Sequence, residues 1–477
     1  MINKISDNWV LVALKNVVRH TKGKKPKTLN PSPDKGLIPY IDIRAFESNQ
    51  VRQYADIKSA NVIKERDILI VWDGARSGLV GQGQSGAIGS TIMALTPIYV
   101  NSKYLFRFLQ SQYDYINSNP RGTGIPHVDP NIFWNINFPV APSREQERIV
   151  VKLEKLLAKV DNCKERLAKI PLILKRFRQA IIAAACSGAL TMDWRKENSD
   201  LISEVNLLSV NKTKTKRKEF DQPEYFIGIW QDHEIPETWK WVLLSDVAES
   251  RLGKMLDKKK NTGHPTKYLR NVNVRWFSFE LSDLLEIKAS KDELQKLSLE
   301  KGDVLVCEGG EPGRAAVWND DIKGIIYQKA IHRIRLKGNI LPQWLVLNLK
   351  NDSNNKKIEN LFTGTTIKHL TGQSIAKYPF SVPPLKEQNE IVRRVESLFA
   401  LADQIEARYQ NARNHVDHLA QSILAKAFRG ELVPQDPNDP PASELLKQIQ
   451  AEREKQPELR KAGKRGPTHQ RRARPKA

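Results

Sequence analysis

Cysteine is scarce in this chain: Cys163, Cys186 and Cys307 are the only three, and they stand far apart. Their spacing fits neither a metal site nor a redox pair, so a reduced, intracellular and cytoplasmic protein with structural thiols is expected. No run of about 18 apolar residues is present, so no membrane span is expected. The start, MINKISDNWV, has no apolar core of a secretory leader. Several catalytic patterns are missing as well. There is no G-x-x-x-x-G-K-[ST] phosphate loop, which argues against ATP hydrolysis by that route. An enzyme that methylates a flipped adenine needs Asn/Asp-Pro-Pro followed by an aromatic ring. Here Asp439-Pro440-Pro441-Ala442 lacks the ring, and Asn30-Pro31-Ser32-Pro33 lacks both features. Gly81-Gln82-Gly83-Gln84-Ser85-Gly86 has dinucleotide-loop spacing but precedes a strand-like stretch rather than a helix, and reads as a turn. A permissive nuclease pattern fits Pro33-Asp34 with Asp56-Ile57-Lys58. It has no counterpart later in the chain, and a stand-alone restriction nuclease is kept only as the alternative.

What is present is length, charge and repetition. A chain of 477 residues exceeds the size at which single cores stop growing, so two or more domains are expected. With 40% hydrophobic and 27% charged residues it reads as globular. The formal charge of +23 favours a polyanionic partner. However, residues 455–477 hold nine Lys/Arg against Glu458, and Asn211–Lys218 holds five more with no acid. More than half of the excess therefore sits in what reads as a solvated tail and linker. Charge supports nucleic-acid binding without establishing it.

The chain repeats itself, which decides the architecture. Arg121-Gly122-Thr123-Gly124-Ile125-Pro126-His127-Val128 recurs, 242 residues on, as Thr363-Gly364-Thr365-Thr366-Ile367-Lys368-His369-Leu370. In the same register Glu145-Gln146 recurs as Glu387-Gln388, Ile149-Val150 as Ile391-Val392, and Gly188 as Gly430. Upstream, Trp9 and Val12 match Trp239 and Val242 at an offset of 230, and Asp67 and Gly74 match Asp303 and Gly310 at 236. The growing offset means that connecting loops changed while a framework persisted, as expected when loops carry variable contacts. His127 and His369 are equivalent, but neither has a cysteine or second histidine nearby. A structural hydrogen bond or a phosphate contact is the expected role.

The segments 143–190 and 385–432 read as long helices. Ile149, Leu153, Leu156, Val160 and Phe177 form an apolar stripe in the first, and Ile391, Val395, Leu398 and Leu419 in the second. Both end at glycine, Gly188 and Gly430, as helices often do. A long one-sided helix needs a partner, and an antiparallel pair of the two copies is expected. Pro171 is the irregularity, since it removes a hydrogen bond inside the first copy only. The halves before them, 1–142 and 237–384, read as mixed α/β. Strand-like runs at Arg66–Val71 and Asp303–Val306 lead into Asp73-Gly74 and Gly309-Gly310. Residues 191–236 read as a linker and 433–477 as a basic tail.

The order variable half, Pro-x-x-Glu-Gln helix, variable half, Pro-x-x-Glu-Gln helix resembles type I restriction-modification specificity subunits. Pro142-Ser143-Arg144-Glu145-Gln146 and Pro384-Leu385-Lys386-Glu387-Gln388 carry the resemblance, which extends over almost the whole chain. It implies two mixed α/β (α+β) target-recognition domains separated by a long antiparallel helical coiled coil, and no catalysis by this chain. It also implies double-stranded DNA, two methylation subunits and restriction subunits as partners. S-adenosylmethionine, ATP and magnesium would be bound by those partners and no cofactor by this chain. Loop position and chemistry single out Lys22, Lys24, Lys25, Arg44 and Arg76 in the first half as DNA contacts. Lys254, Lys258, Arg270, Asn273 and Arg314 are their counterparts in the second.

Overall fold

In the computed structural model the repeat becomes two units with one strand order. The structure describes residues 5–82, 84–122, 124–198, 228, 230, 234–257 and 261–455. The chain divides into unit 1, Met1–Ala168 with Asn411–Ala477, and unit 2, Lys169–Gln410.

In unit 1, Val10–Ala13 pairs antiparallel with Asn137–Val140. A four-stranded sheet runs in the order Val18–Lys22, Ile92–Pro97, Ile68–Val71, Val80–Gln82. The sequence Ile-Leu-Ile-Val at 68–71 is buried on both faces, which is why it shows no apolar/polar alternation. A third sheet of five short strands contains one parallel pairing, Tyr40 with Ala87 and Ile41 with Ile88.

Unit 2 repeats this order. Lys240–Leu243 pairs with Pro379–Val382, and the four-stranded sheet runs Ala248–Leu252, Ile331–Leu336, Val304–Cys307, Ala315–Val317. Its third sheet has three strands, again with one parallel pairing, Tyr268 with Ile326 and Leu269 with Tyr327. The two copies differ mainly in this third sheet, within the stretch where the offset grows.

Both expected long helices are present, Ser143–Cys186 and Leu385–Phe428, each of 44 residues. The first continues through Pro171. Each helix contributes to both units. In unit 1, Ile149, Val150, Leu153 and Leu157 share a core with Leu424, Ala427 and Phe428. In unit 2, Ile181, Ile182 and Ala185 share a core with Ile391 and Val395. The start of one helix thus meets the end of the other, which makes the pair antiparallel. The ion pairs agree: Lys164 meets Asp417 in unit 1, and Arg178 meets Asp403 and Glu406 in unit 2.

Among the expected packing residues, Ile149, Leu153, Val160, Ile391 and Val395 are buried. Leu156, Phe177 and Leu398 are half-buried. Leu419 is the exception, with 47% of its surface exposed. A stripe drawn from sequence spacing names the side of a helix, but the partner surface determines how far along that stripe burial extends.

The tail and linker are shorter than their composition suggests. Ala442–Lys455 forms a helix that buries Ala442, Leu445 and Ile449 in the unit 1 core, so residues 433–455 belong to that core rather than to a tail. Trp230 is buried and donates its indole N–H to Asp352 at 2.9 Å, anchoring part of the expected linker. The basic runs at 211–218 and 456–477 lie outside the described residues.

Candidate nucleic-acid interface

The repeated Glu-Gln pair occupies buried structural positions. Glu145 accepts the indole N–H of Trp9 at 3.0 Å and an amide hydrogen of Gln435. Glu387 accepts the indole N–H of Trp239 at 2.9 Å and the Thr191 hydroxyl at 2.7 Å, and forms an ion pair with Arg195. The neighbouring glutamines close the same loops: Gln146 accepts the backbone N–H of Asn101 at 2.9 Å, and Gln388 that of Leu341 at 2.8 Å. Each carboxylate thus ties the start of a long helix to the residue just before the first strand of its own unit and to the segment following the other helix. A buried carboxylate is tolerated when donors converge on it.

The proposed DNA contacts fall into three groups. Lys24, Lys25 and Arg44 are exposed. Arg76 is exposed but paired with Glu47 at 2.7 Å. Lys22 is half-buried, 2.6 Å from Asp73 and lying over the Trp72 ring. In the second half the chemistry turns inward. Lys254 is buried and ion-paired to Glu293, so its ammonium already has a partner inside the fold. Asn273 is 1% exposed; its amide donates to the carbonyls of Glu280 and Asp283, and its oxygen accepts the Arg270 backbone N–H. Arg270 is held by the backbone carbonyl and carboxylate of Asp283 at 2.8 and 2.6 Å. Arg314 is held by Glu311 and by the Asn271 carbonyl. Lys258 lies outside the described residues. Lys254 and Asn273 thus differ from the exposed candidates: both side chains are buried and bonded within the fold, so neither presents its polar atoms at the surface of this structure.

Sequence reasoning overlooked a polar surface in unit 1. Asp73, noted in the sequence only for its turn, accepts from Lys22 on one oxygen and lies 2.8 Å from His127 Nδ1 on the other. Aromatic rings continue the row: Trp72 stacks on Trp134 at 5.8 Å, and His20 lies 4.6 Å from Trp134. The sequence signal was the stretch Trp72-Asp73-Gly74 directly after a buried strand. The partners of Asp73 lie 51 and 54 residues away and could not be read from it.

The nuclease pattern is occupied by local work. Asp34 accepts the backbone N–H of Lys35, and Asp56 accepts that of Lys58 as the cap of a short helical turn. The glycine run lies between strands, with Gly81 in Val80–Gln82 and Gly86 opening Gly86–Ile88; Gly83 lies outside the described residues. Among the described residues, no cluster of three or more His, Cys, Asp or Glu is arranged to hold a metal ion.

The type I restriction modification DNA specificity domain matches the chain twice, over residues 6–172 and 236–412. Curated relatives include the type I restriction enzyme StySPI specificity subunit of Salmonella potsdam, 32% identical over 94% of this chain and 96% of the relative. The EcoKI specificity subunit of Escherichia coli (strain K12) is 30% identical over the same shares. Among solved structures, a chain from a study of complex assembly and conformational transition of the type I R-M system superimposes with a TM-score of 0.63 at 20% identity. It covers 90% of this chain and 99% of its own length. The HsdS subunit from Thermoanaerobacter tengcongensis gives a TM-score of 0.56 at 19% identity, over 90% of this chain and 98% of that one.

Proposed function

This chain belongs to the type I restriction-modification DNA specificity family, and from that membership we propose that it is the non-catalytic subunit that reads a two-part DNA target for partner methylation and restriction subunits. The observation that carries this reading is the double match of the family domain to the two halves of an internally duplicated chain. The stand-alone nuclease is set aside on the same ground. One half-site falls to the α/β body before each long helix. S-adenosylmethionine, ATP and magnesium belong to the partners, of which two are methylation subunits. No helix among the described residues is long and apolar enough to cross a membrane, and the complex works in the cytoplasm.

In this reading Lys24, Lys25 and Arg44, which are exposed, meet phosphates, contacts that fix register and orientation without reading sequence. Arg76 joins them once DNA competes with Glu47 for its guanidinium. The second half contributes Arg270 and Arg314 as partly exposed cations, both held in place by their acids. Each long helix has 44 residues, about 66 Å at 1.5 Å per residue, and in this reading the helix pair is the ruler for the gap in the target, as for other two-site readers.

The test is genome-wide adenine methylation, read by single-molecule sequencing in a host that makes the cognate methylation subunit with and without this chain. A split motif with a fixed gap, methylated only when the chain is present, is the expected result. Methylation that is unchanged, or that follows one continuous motif, refutes the reading.

A further inference from the structure

Two copies of one backbone serve as controls for each other. In unit 1 a hairpin pairs Arg121 with His127; in unit 2 the equivalent residues Thr363 and His369 pair in the same sense. Gly122 and Gly364 turn with φ of +93° and +91°. Val128 donates its backbone N–H to the Trp72 carbonyl at 2.9 Å, and Leu370 donates to that of Glu308 at 2.8 Å. The two hairpins thus share this antiparallel pairing, the glycine that opens the turn and the backbone bond that anchors the returning strand.

At both tips stands the same exposed side chain: Ile125 is 63% and Ile367 66% exposed. Internal packing explains why buried residues recur between the halves. It does not explain a shared isoleucine in water, which gains nothing from the fold it belongs to. A partner met by both hairpins does explain it, and the two half-sites of one duplex present a common shape and backbone to both.

If the hairpin faces DNA, residues beside it that differ between the copies are where the half-sites are told apart. Lys22, Trp72 and Asp73 are replaced at the equivalent positions by Leu252, Glu308 and Gly309. The histidine persists. A Cβ added at Gly309 would lie 3.3 Å from Nδ1 of His369, so that ring stands beside the place that Asp73 fills in unit 1.

We propose that Lys22, Asp73 and His127 form the base-reading edge of unit 1. The inference rests on the reading of the chain as a two-part DNA specificity subunit. Lys22 Nζ lies 2.6 Å from one Asp73 oxygen and His127 Nδ1 2.8 Å from the other, and all three side chains are partly exposed. Each oxygen keeps a lone pair, Lys22 keeps two N–H donors, and His127 keeps Nε2. A carboxylate can accept from an exocyclic amine such as cytosine N4, and an ammonium can donate to guanine O6 or N7. The mutual pairing holds the three in place before DNA arrives, so little side-chain ordering remains for binding. Because Lys22 and Asp73 cancel in charge, the edge adds specificity rather than salt-dependent affinity.

The experiment compares the methylated motif of the wild-type complex with those of Asp73→Asn, His127→Gln and Gly309→Asp. The first two are expected to relax or change bases in one half-site only, leaving the other half and the gap intact. Gly309→Asp, which imports the acid into unit 2, is expected to change only the other half. In binding assays with the purified complex, Asp73→Asn should lower the preference for the cognate over a substituted half-site by about ten-fold, and, because it leaves the Lys22 charge uncancelled, should steepen rather than flatten the slope against salt. Loss at both halves means that the surface is structural, and an unchanged motif in all three variants overturns the proposal with the functional reading intact. A wild-type complex with no chain-dependent motif overturns both.

Discussion

Glu387 and Glu145 hold the same motif position, yet replacing them by glutamine should have unequal consequences. The Glu387 side chain is fully buried, and three donors converge on its two oxygens: Trp239, Thr191 and Arg195. Arg195 is itself only 16% exposed and lies over the Trp239 ring. Glu387→Gln keeps the volume but turns one acceptor into a donor facing other donors, and leaves Arg195 without its counter-charge. Breaking a buried pair from one side costs about 3–5 kcal/mol, and a hydrogen bond to a charged group contributes about 1.5–3. A loss of about 3 kcal/mol is expected. For a unit of this size it corresponds to a fall of about 6–12 °C in the melting of unit 2. At Glu145 the balance differs, because burial is the largest influence on it and pushes its carboxyl pKa up despite the bond from Trp9. The charge there is already opposed by burial and has no buried guanidinium paired with it, so Glu145→Gln should lose clearly less than Glu387→Gln. Calorimetry of the full chain with each variant checks this, and an Arg195→Met, Glu387→Gln double variant isolates the pair. Equal shifts for the two glutamine variants, or strict additivity in the double variant, would refute the reasoning.

Asp352 accepts from Trp230 at 2.9 Å and Tyr378 at 2.8 Å, but burial dominates and raises its pKa. A raised folded-state pKa means that the folded chain holds a proton the unfolded chain releases. Unit 2 should therefore lose stability as pH rises out of the ordinary carboxylate range and through the folded-state value. Asp352→Asn should flatten that slope in a series of melts between pH 4 and 8, and an unchanged slope would rule Asp352 out as its source. Of the three thiols, Cys163 is exposed whereas Cys186 and Cys307 are buried, and burial pushes the Cys307 pKa up to about 11. A thiol reagent at neutral pH should label Cys163 alone in the native chain and all three in denaturant. Rapid native labelling of Cys307 would mean that its strand opens readily.

How much of this was legible depended on the range of the interaction. The long helices were readable because Ile149, Leu153 and Val160, and then Ile391 and Val395, recur at helical spacing. The duplication was readable because a fixed offset needs no structure. The candidate site was readable only in part. Arg44 and Lys24 are exposed as their loop positions suggested, while Lys254 and Asn273 were chosen by the same rule and are buried. Their local sequence holds no sign of this: the carboxylate that takes the Lys254 ammonium lies 39 residues away. Leu419 continues the apolar stripe but stays exposed, since none of the described residues covers that part of its helix face.

By itself the sequence determined the two-fold repeat, the helical segments, the mixed α/β character of each half and the family. Those properties are periodic or local, so residue order records them directly. Only the tertiary structure decided what the Glu-Gln pair does and which cations remain free. It also assembled Lys22, Asp73 and His127 and drew residues 433–455 into the unit 1 core. Each of these depends on groups brought together from distant parts of the chain, 136 residues apart for Trp9 and Glu145. Burial and pairing are set by which surfaces the fold closes over, and no local pattern of residues encodes that choice.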